Sequence, residues 1–453
     1  MTKAGTALKD LEARVHDAYR RRTPASASWH ERACRSLAGG VSGTVRYFRP
    51  YPLYFREGNG SHAFDLDGHD YVDSFLCGAS LMLGHRHPEV MKAIASTSTS
   101  GSIVLNPTQS TELAEVVQRM VPNAERVRLL NSGTEAVMSA LRFARAFTGK
   151  PRIIKFAGTY HGQADEMLTG LDHRPGTVGA GVTKAAVSDV VVADLGDVDA
   201  LARLLAQRDV AAILLDPSMH HCGLWAGTPD LYGQMKEMAH HAGALLIFDE
   251  VISGFRLAAG GAQQYFGVKP DLAVFGKAFG AGERIGAVTG RAEVMSVADP
   301  TRRGVGPFAF QSGTGNDSRN AVAASLAALA VYEREQVGGG YRRLADLARK
   351  LATGMRGVFS RHGLALHANH LGPMVRLFMT GGPATQAHCM QLDTRSLNLF
   401  HLALTTEGVL TLPGSNDFFL SFAHEEQDID SMLAAADRVL SVFPFASVDG
   451  AVV

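Results

Sequence analysis

Between about residue 106 and residue 290 the chain repeats one pattern: a short apolar run, a polar loop, an amphipathic stretch. The apolar runs are residues 127–130, 153–156, 190–193, 211–215, 245–248, 272–275 and 285–289. Runs this short, rich in Val, Ile and Leu and bounded by loop residues, read as strands buried on both faces. Residues 134–147 and 231–242 have apolar positions at helical spacing. Strands alternating with helices predict an α/β layout: a mainly parallel, seven-stranded sheet covered on both sides.

The flanks read differently. The first forty residues suggest one or two helices, and residues 54–75 suggest short strands with a turn at Asp67-Gly68. After Asn320, helices are expected at residues 321–332, 341–359 and 428–443, with shorter strands among them. This predicts a smaller α+β domain. The expected division is residues 1–65 as an N-terminal segment joining the small domain, 66–325 as the large domain, and 326–453 as the small C-terminal domain.

Composition narrows the function. Lys plus Arg balance Asp plus Glu, 44 against 44, which disfavours a nucleic-acid surface and gives no pull toward an anionic membrane. The four cysteines, Cys34, Cys77, Cys222 and Cys389, are scattered without a C-x-x-C spacing. No apolar run approaches the length of a membrane span, and the first ten residues lack an apolar signal core. A cytoplasmic enzyme is expected.

The polar residues that close each strand carry the chemistry. Asp249 ends one apolar run and Lys277 ends another. Neither charge belongs in a core unless it is paired or acts on something. Asn131-Ser-Gly-Thr-Glu135 follows the first run and opens a helix, which is either an ordinary cap or a phosphate site. Ala157-Gly-Thr-Tyr-His-Gly162 follows the second, and its Tyr160 and His161 could cover a flat ring or simply pack in a loop. The cluster His220, His221, Cys222 poorly suits tetrahedral zinc because its members are adjacent, so no metal is expected. Together, a phosphate cradle, an aromatic cover, an acid and an amine at one sheet edge match what a phosphorylated pyridine aldehyde requires.

At these residues the chain resembles a class III (fold type I) aminotransferase dependent on pyridoxal 5'-phosphate, within the branch typified by glutamate-1-semialdehyde 2,1-aminomutase. The segments that carry the resemblance are Gly39-Gly-Val-Ser-Gly-Thr-Val-Arg46, Leu83-Gly-His-Arg-His-Pro-Glu89, Asn131-Ser-Gly-Thr-Glu-Ala136, Tyr160-His-Gly162, Phe248-Asp-Glu-Val-Ile-Ser-Gly-Phe-Arg256, Gly276-Lys277, Gln311-Ser-Gly-Thr314 and Ser421-Phe-Ala-His424. The resemblance implies that Lys277 forms the Schiff base and shuttles the proton, and that Asp249 holds the pyridine nitrogen. Val251 and Tyr160 would sandwich the ring, with His161 beside it. Ser132, Gly133 and Thr134 would bind the phosphate, aided by Thr314 from a second copy in a homodimer. His221 would lie near the ring hydroxyl, and Arg46 would take the substrate carboxylate.

Departures from that branch favour intermolecular amino transfer, from an amino acid to a keto acid, over the mutase reaction. Asp216-Pro217 replaces Glu-Pro, Asn416 stands where the mutase has a glutamate, Glu166 stands in place of a serine, and the gate is shortened to Gly176-Thr-Val-Gly-Ala-Gly181. An aminomutase or amino-acid epimerase on the same scaffold is the nearest alternative. A nicotinamide-dependent dehydrogenase is disfavoured. Its best motif, Gly280-Ala-Gly-Glu-Arg-Ile-Gly286, misses the required spacing and leads into a strand. A catalytically dead regulatory homologue is disfavoured by the presence of Lys277 and Asp249.

Overall fold

The computed structural model describes residues 3–99, 101, 103, 105–171, 179–415 and 417–445. The chain forms two compact units, residues 88–341 and residues 1–87 with 342–453.

The first of these is built on seven strands: β1 (Arg126–Leu130), β2 (Arg152–Phe156), β3 (Val190–Ala193), β4 (Val210–Leu215), β5 (Leu245–Asp249), β6 (Leu272–Phe275) and β7 (Gly286–Gly290). They lie in the order β1-β7-β6-β5-β4-β2-β3. The five strands from β6 to β3 are parallel, whereas β7 runs antiparallel to both of its neighbours, β6 and β1. All seven runs expected to be strands are strands. Every residue of β4, β5 and β6 is buried, as expected of strands covered on both faces.

Three helices show how the sequence makes this unit. Helix α1 (Gly133–Thr148) starts at Ser132, whose Oγ accepts from the amide of Glu135, and stops at Gly149 with φ +69°. Its inner face buries Ala136, Val137, Ala140, Leu141, Phe143 and Ala144 against β1, β4, β6 and β7 side chains. Complete burial of Leu141 and Phe143 contributes about 1.5–3 kcal/mol each. Helix α2 (Pro229–His241) uses Thr228 as its cap and Pro229 at its first turn. Helix α3 (Arg319–Gly338) runs several residues beyond the apolar segment that predicted it and ends at Gly339 with φ +83°.

The other unit holds two small sheets. Strands Phe55–Asn59, His62–Asp65 and Asp70–Asp73 form an antiparallel set with Gly68 (φ +87°) in the turn between the last two. Asp70–Asp73 then pairs in parallel with Val409–Leu410, which ties the N-terminal segment to the C-terminal one. Strands His367–Leu371, Met374–Phe378 and Asp417–Phe419 form the second sheet, again antiparallel. Among the described residues no helix is long and apolar enough to cross a membrane.

Candidate active site

Asp249 closes β5 and Lys277 follows β6, and these strands are adjacent and parallel, with Asp249 paired to Val274. Both residues therefore stand at the carboxyl end of the sheet, where ligands of open α/β sheets bind. Asp249 is 6% exposed and both of its oxygens are engaged. Its Oδ1 accepts from the amide of Val251 (3.1 Å), and its Oδ2 lies 2.6 Å from Nδ1 of the fully buried His161. The other nitrogen of His161 meets Thr159 Oγ1 at 2.9 Å. Lys277 occupies the left-handed region at φ +48°, a conformation that costs a non-glycine residue about 1 kcal/mol or more.

The Ser132 turn is packed into the same place. Ser132 caps the amide of Glu135 at 3.2 Å, while Glu135 reaches back to Asn131, its Oε2 accepting from the main-chain amide (2.9 Å) and from Nδ2 (3.0 Å). The amides of Gly133 and Thr134 have no acceptor within the helix, so the positive end of α1 presents free donors suited to an anion. A methyl on Gly133 would come within 2.7 Å of Val251 Cγ2, and one on Gly162 within 2.6 Å of Thr134 Oγ1. Only glycine lets these segments close, so the phosphate-type turn, Val251 and the Tyr160-His161 loop converge by direct contact. Gly276, next to Lys277, completes the group: its Cβ position lies 3.3 Å from the amide nitrogen of Gly133.

Tyr160 remains 43% exposed, edge-on to His221 with ring centroids 5.6 Å apart. Burial and the nearby Asp249 charge hold its phenol above the ordinary value. The loop bearing His221 is shaped by Asp216, whose Oδ1 accepts from Ser218 (amide 2.9 Å, Oγ 2.6 Å) and whose Oδ2 accepts from the His220 amide (3.0 Å). The shorter side chain at Asp216-Pro217 thus serves as the cap of its own turn.

Behind Asp249, Glu250 is fully buried, its Oε2 accepting from the Ala262 amide, and burial pushes its carboxyl up to about 7. A raised acid value makes the folded state hold its proton longer than the unfolded chain. Stability from this group therefore falls as pH rises from near 4.5 to about 7, by about 3 kcal/mol. Glu250→Gln is expected to remove that fall. Urea denaturation at pH 5 and pH 8 checks it, and equal pH dependence in variant and parent would show that burial of Glu250 is not what sets it.

The family model described as "Aminotransferase class-III" matches residues 46–361. The chain belongs to the class-III aminotransferases. Curated relatives include the glutamate-1-semialdehyde 2,1-aminomutases of Syntrophomonas wolfei (36% identical, 92% of this chain, 98% of that protein) and Rhodopirellula baltica (36%, 92% and 96%). An ω-transaminase from Sphaerobacter thermophilus superposes with TM-score 0.85 at 34% identity, covering 92% of this chain and 97% of its own. A β-phenylalanine aminotransferase from Variovorax paradoxus gives 0.84 at 30%, covering 95% and 97%.

Class-III aminotransferases use pyridoxal phosphate, and the residues present here suit it. A helix N-terminus with spare amides, a buried carboxylate held by an imidazole and an amide, and an amine at the next strand end supply anion, cation and aldehyde partners. The remaining expected residues of this aminotransferase lie as follows. Thr314 is exposed, in a segment whose flanking Gly313 and Gly315 pack on Asn131, the residue before Ser132. Arg46 ends a short turn, Thr44–Arg46, in the unit of residues 1–87 and 342–453; it is exposed and donates to Ser42 Oγ at 3.2 Å. Glu166 accepts from Arg145 at 2.7 Å. Asn416 and residues 176–178 of the shortened gate lie outside the described residues.

Two residues of this site escaped the sequence reading, Thr159 and Lys155. The one signal available was a lysine inside an otherwise apolar strand.

Proposed function

We propose that this enzyme transfers an amino group between an amino acid and a keto acid by a ping-pong mechanism. The observation that carries the chemistry is the placement of Lys277 and Asp249 at the ends of adjacent parallel strands. Pyridoxal phosphate, when bound, supplies an aldehyde that receives the amine and a ring that accepts the electrons of the broken Cα–H bond.

The residues divide the rest of the work. Lys277 would hold the cofactor's aldehyde carbon, and its Nζ, once released by the substrate amine, would carry the proton from the substrate Cα to that carbon. Asp249 keeps the pyridine nitrogen protonated, since a carboxylate there favours the cation. His161 orients Asp249. Val251 and Tyr160 would pack on the cofactor ring, and His221 would lie near its hydroxyl. Ser132, Gly133 and Thr134 bind the phosphate, joined by Thr314 of a second copy, which makes a homodimer part of the site. Arg46 takes the substrate carboxylate, an anion that suits a bidentate guanidinium.

Intermolecular transfer is favoured over the mutase reaction by Glu166. It stands where the aminomutase branch carries serine, and it is committed to Arg145 in an ion pair. A second reading, an aminomutase, is favoured by the 36% identity to proteins of that name.

A half-reaction separates the two. The cofactor-loaded protein is mixed with members of a panel of α- and β-amino acids and no keto acid, while the cofactor absorbance is followed. Transamination is expected to release one keto acid per site, stop, and resume when a keto acid is added. Continued turnover of a single substrate would overturn it in favour of the mutase or an epimerase.

A further inference from the structure

Strand β2 is apolar at its centre except for Lys155, which is fully enclosed. Its Nζ donates to the carbonyl oxygens of Thr159 (2.8 Å), Thr169 (2.9 Å) and Met167 (3.3 Å). An ammonium has three hydrogens, so its donor capacity is spent on three carbonyls of the loop that follows the strand. Burial pulls its pKa down to about 8, opposed by Cys222 and Asp249. The charge is thus a pin around which residues 157–170 wrap, and that loop carries Tyr160 and His161.

The hydrogens along this loop can be counted. Thr159 Oγ1 donates to the carbonyl of Phe156 at 2.6 Å. A carbonyl only accepts, so the hydroxyl hydrogen is spent there. The 2.9 Å contact between Oγ1 and His161 Nε2 then requires a hydrogen on Nε2. On the other side, Nδ1 lies 2.6 Å from Asp249 Oδ2, and that contact needs a hydrogen of its own. His161 and Asp249 therefore share two hydrogens and together carry no net charge: an imidazolium facing a carboxylate, or its neutral equivalent. With only one hydrogen, one of these contacts would be empty around a ring that no water reaches.

We propose that Lys155 and Thr159 are positioning residues that set this proton count. Lys155 holds the loop so that Thr159 turns a lone pair, not a hydrogen, toward His161, and His161 then meets Asp249 as a double donor. The consequence rests on the reading of Asp249 as partner of the pyridine nitrogen. Asp249 faces that nitrogen as half of a neutral pair, which moderates its pull on the nitrogen's proton.

The test uses the full-length, cofactor-loaded protein labelled with 15N-histidine, with the His161 signals found by difference from His161→Gln. At neutral pH the parent is expected to show both ring nitrogens bearing hydrogen. Thr159→Val, which removes the lone pair, is expected to move Nε2 to the bare-nitrogen signal, and Thr159→Ser to restore the parent pattern. Lys155→Met is expected to act like Thr159→Val. Should it fail to fold, Lys155→Gln, which keeps a donor but not the three-fold grip, gives the same readout. A parent with one protonated nitrogen, or a Thr159→Val protein that keeps two, would overturn the proton count. A folded Lys155 variant that keeps two would remove Lys155 from it. None of these signals depends on amino transfer, so failure here is distinct from failure of the transaminase reading.

Discussion

Lys277→Ala is expected to lower kcat by about 10⁴-fold or more, the upper range for loss of a positioned acid–base group, because the covalent anchor is lost with it. The same variant should lose the absorbance that marks the cofactor joined to the protein, while thermal unfolding stays cooperative. Strands β5 and β6 are buried along their whole length, so the sheet that carries the site is kept. Stopped-flow absorbance and steady-state rates check both halves. Turnover within about tenfold of the parent, a small fraction of what acid–base catalysis supplies, would mean that another amine does the chemistry.

Asp249→Asn keeps the shape, and its one carbonyl oxygen can still accept from either His161 or the Val251 amide, the two partners seen here. What it loses is the negative charge facing the pyridine nitrogen. The expected result is a fall in kcat on the order of 10²–10³-fold with KM little changed, the loss typical of one preorganised electrostatic partner. The decrease should appear at every pH, since the amide does not ionise. An unchanged kcat would remove Asp249 from the pyridine nitrogen and leave it as a brace for His161.

The strand ends were legible because burial writes itself into the sequence. A four-residue apolar run that stops at Asp249 or precedes Lys277 identifies both the strand and the residue it delivers. The direction of β7 was not legible, since Gly286–Gly290 is buried throughout and reads alike either way. The turn at Ser132 was visible as a cap but not as part of a site. Its position depends on Gly133 and Gly162, whose missing side chains admit Val251 and Thr134. Thr159 and the role of Lys155 were not legible for another reason. Lys155 meets main-chain carbonyls of a loop that closes back on its own strand, Thr159 meets the Phe156 carbonyl and the His161 ring, and no spacing of side chains encodes either arrangement. Helix α3 outran its apolar signal because its last turns, Glu333 to Gly338, are polar or exposed and are held by polar contacts instead, Glu333 with Arg119, Arg334 with Glu89 and Gln336 with the Ala259 amide.

The backbone at Lys277 has a consequence for how this position drifts. Its left-handed turn is one that glycine or asparagine would adopt more readily. Left to stability alone, random substitution there would move toward those residues, and the protein would become sturdier and inert. The amine is therefore held at a place the chain's local preferences would give to something else, and only the demand for chemistry keeps it there.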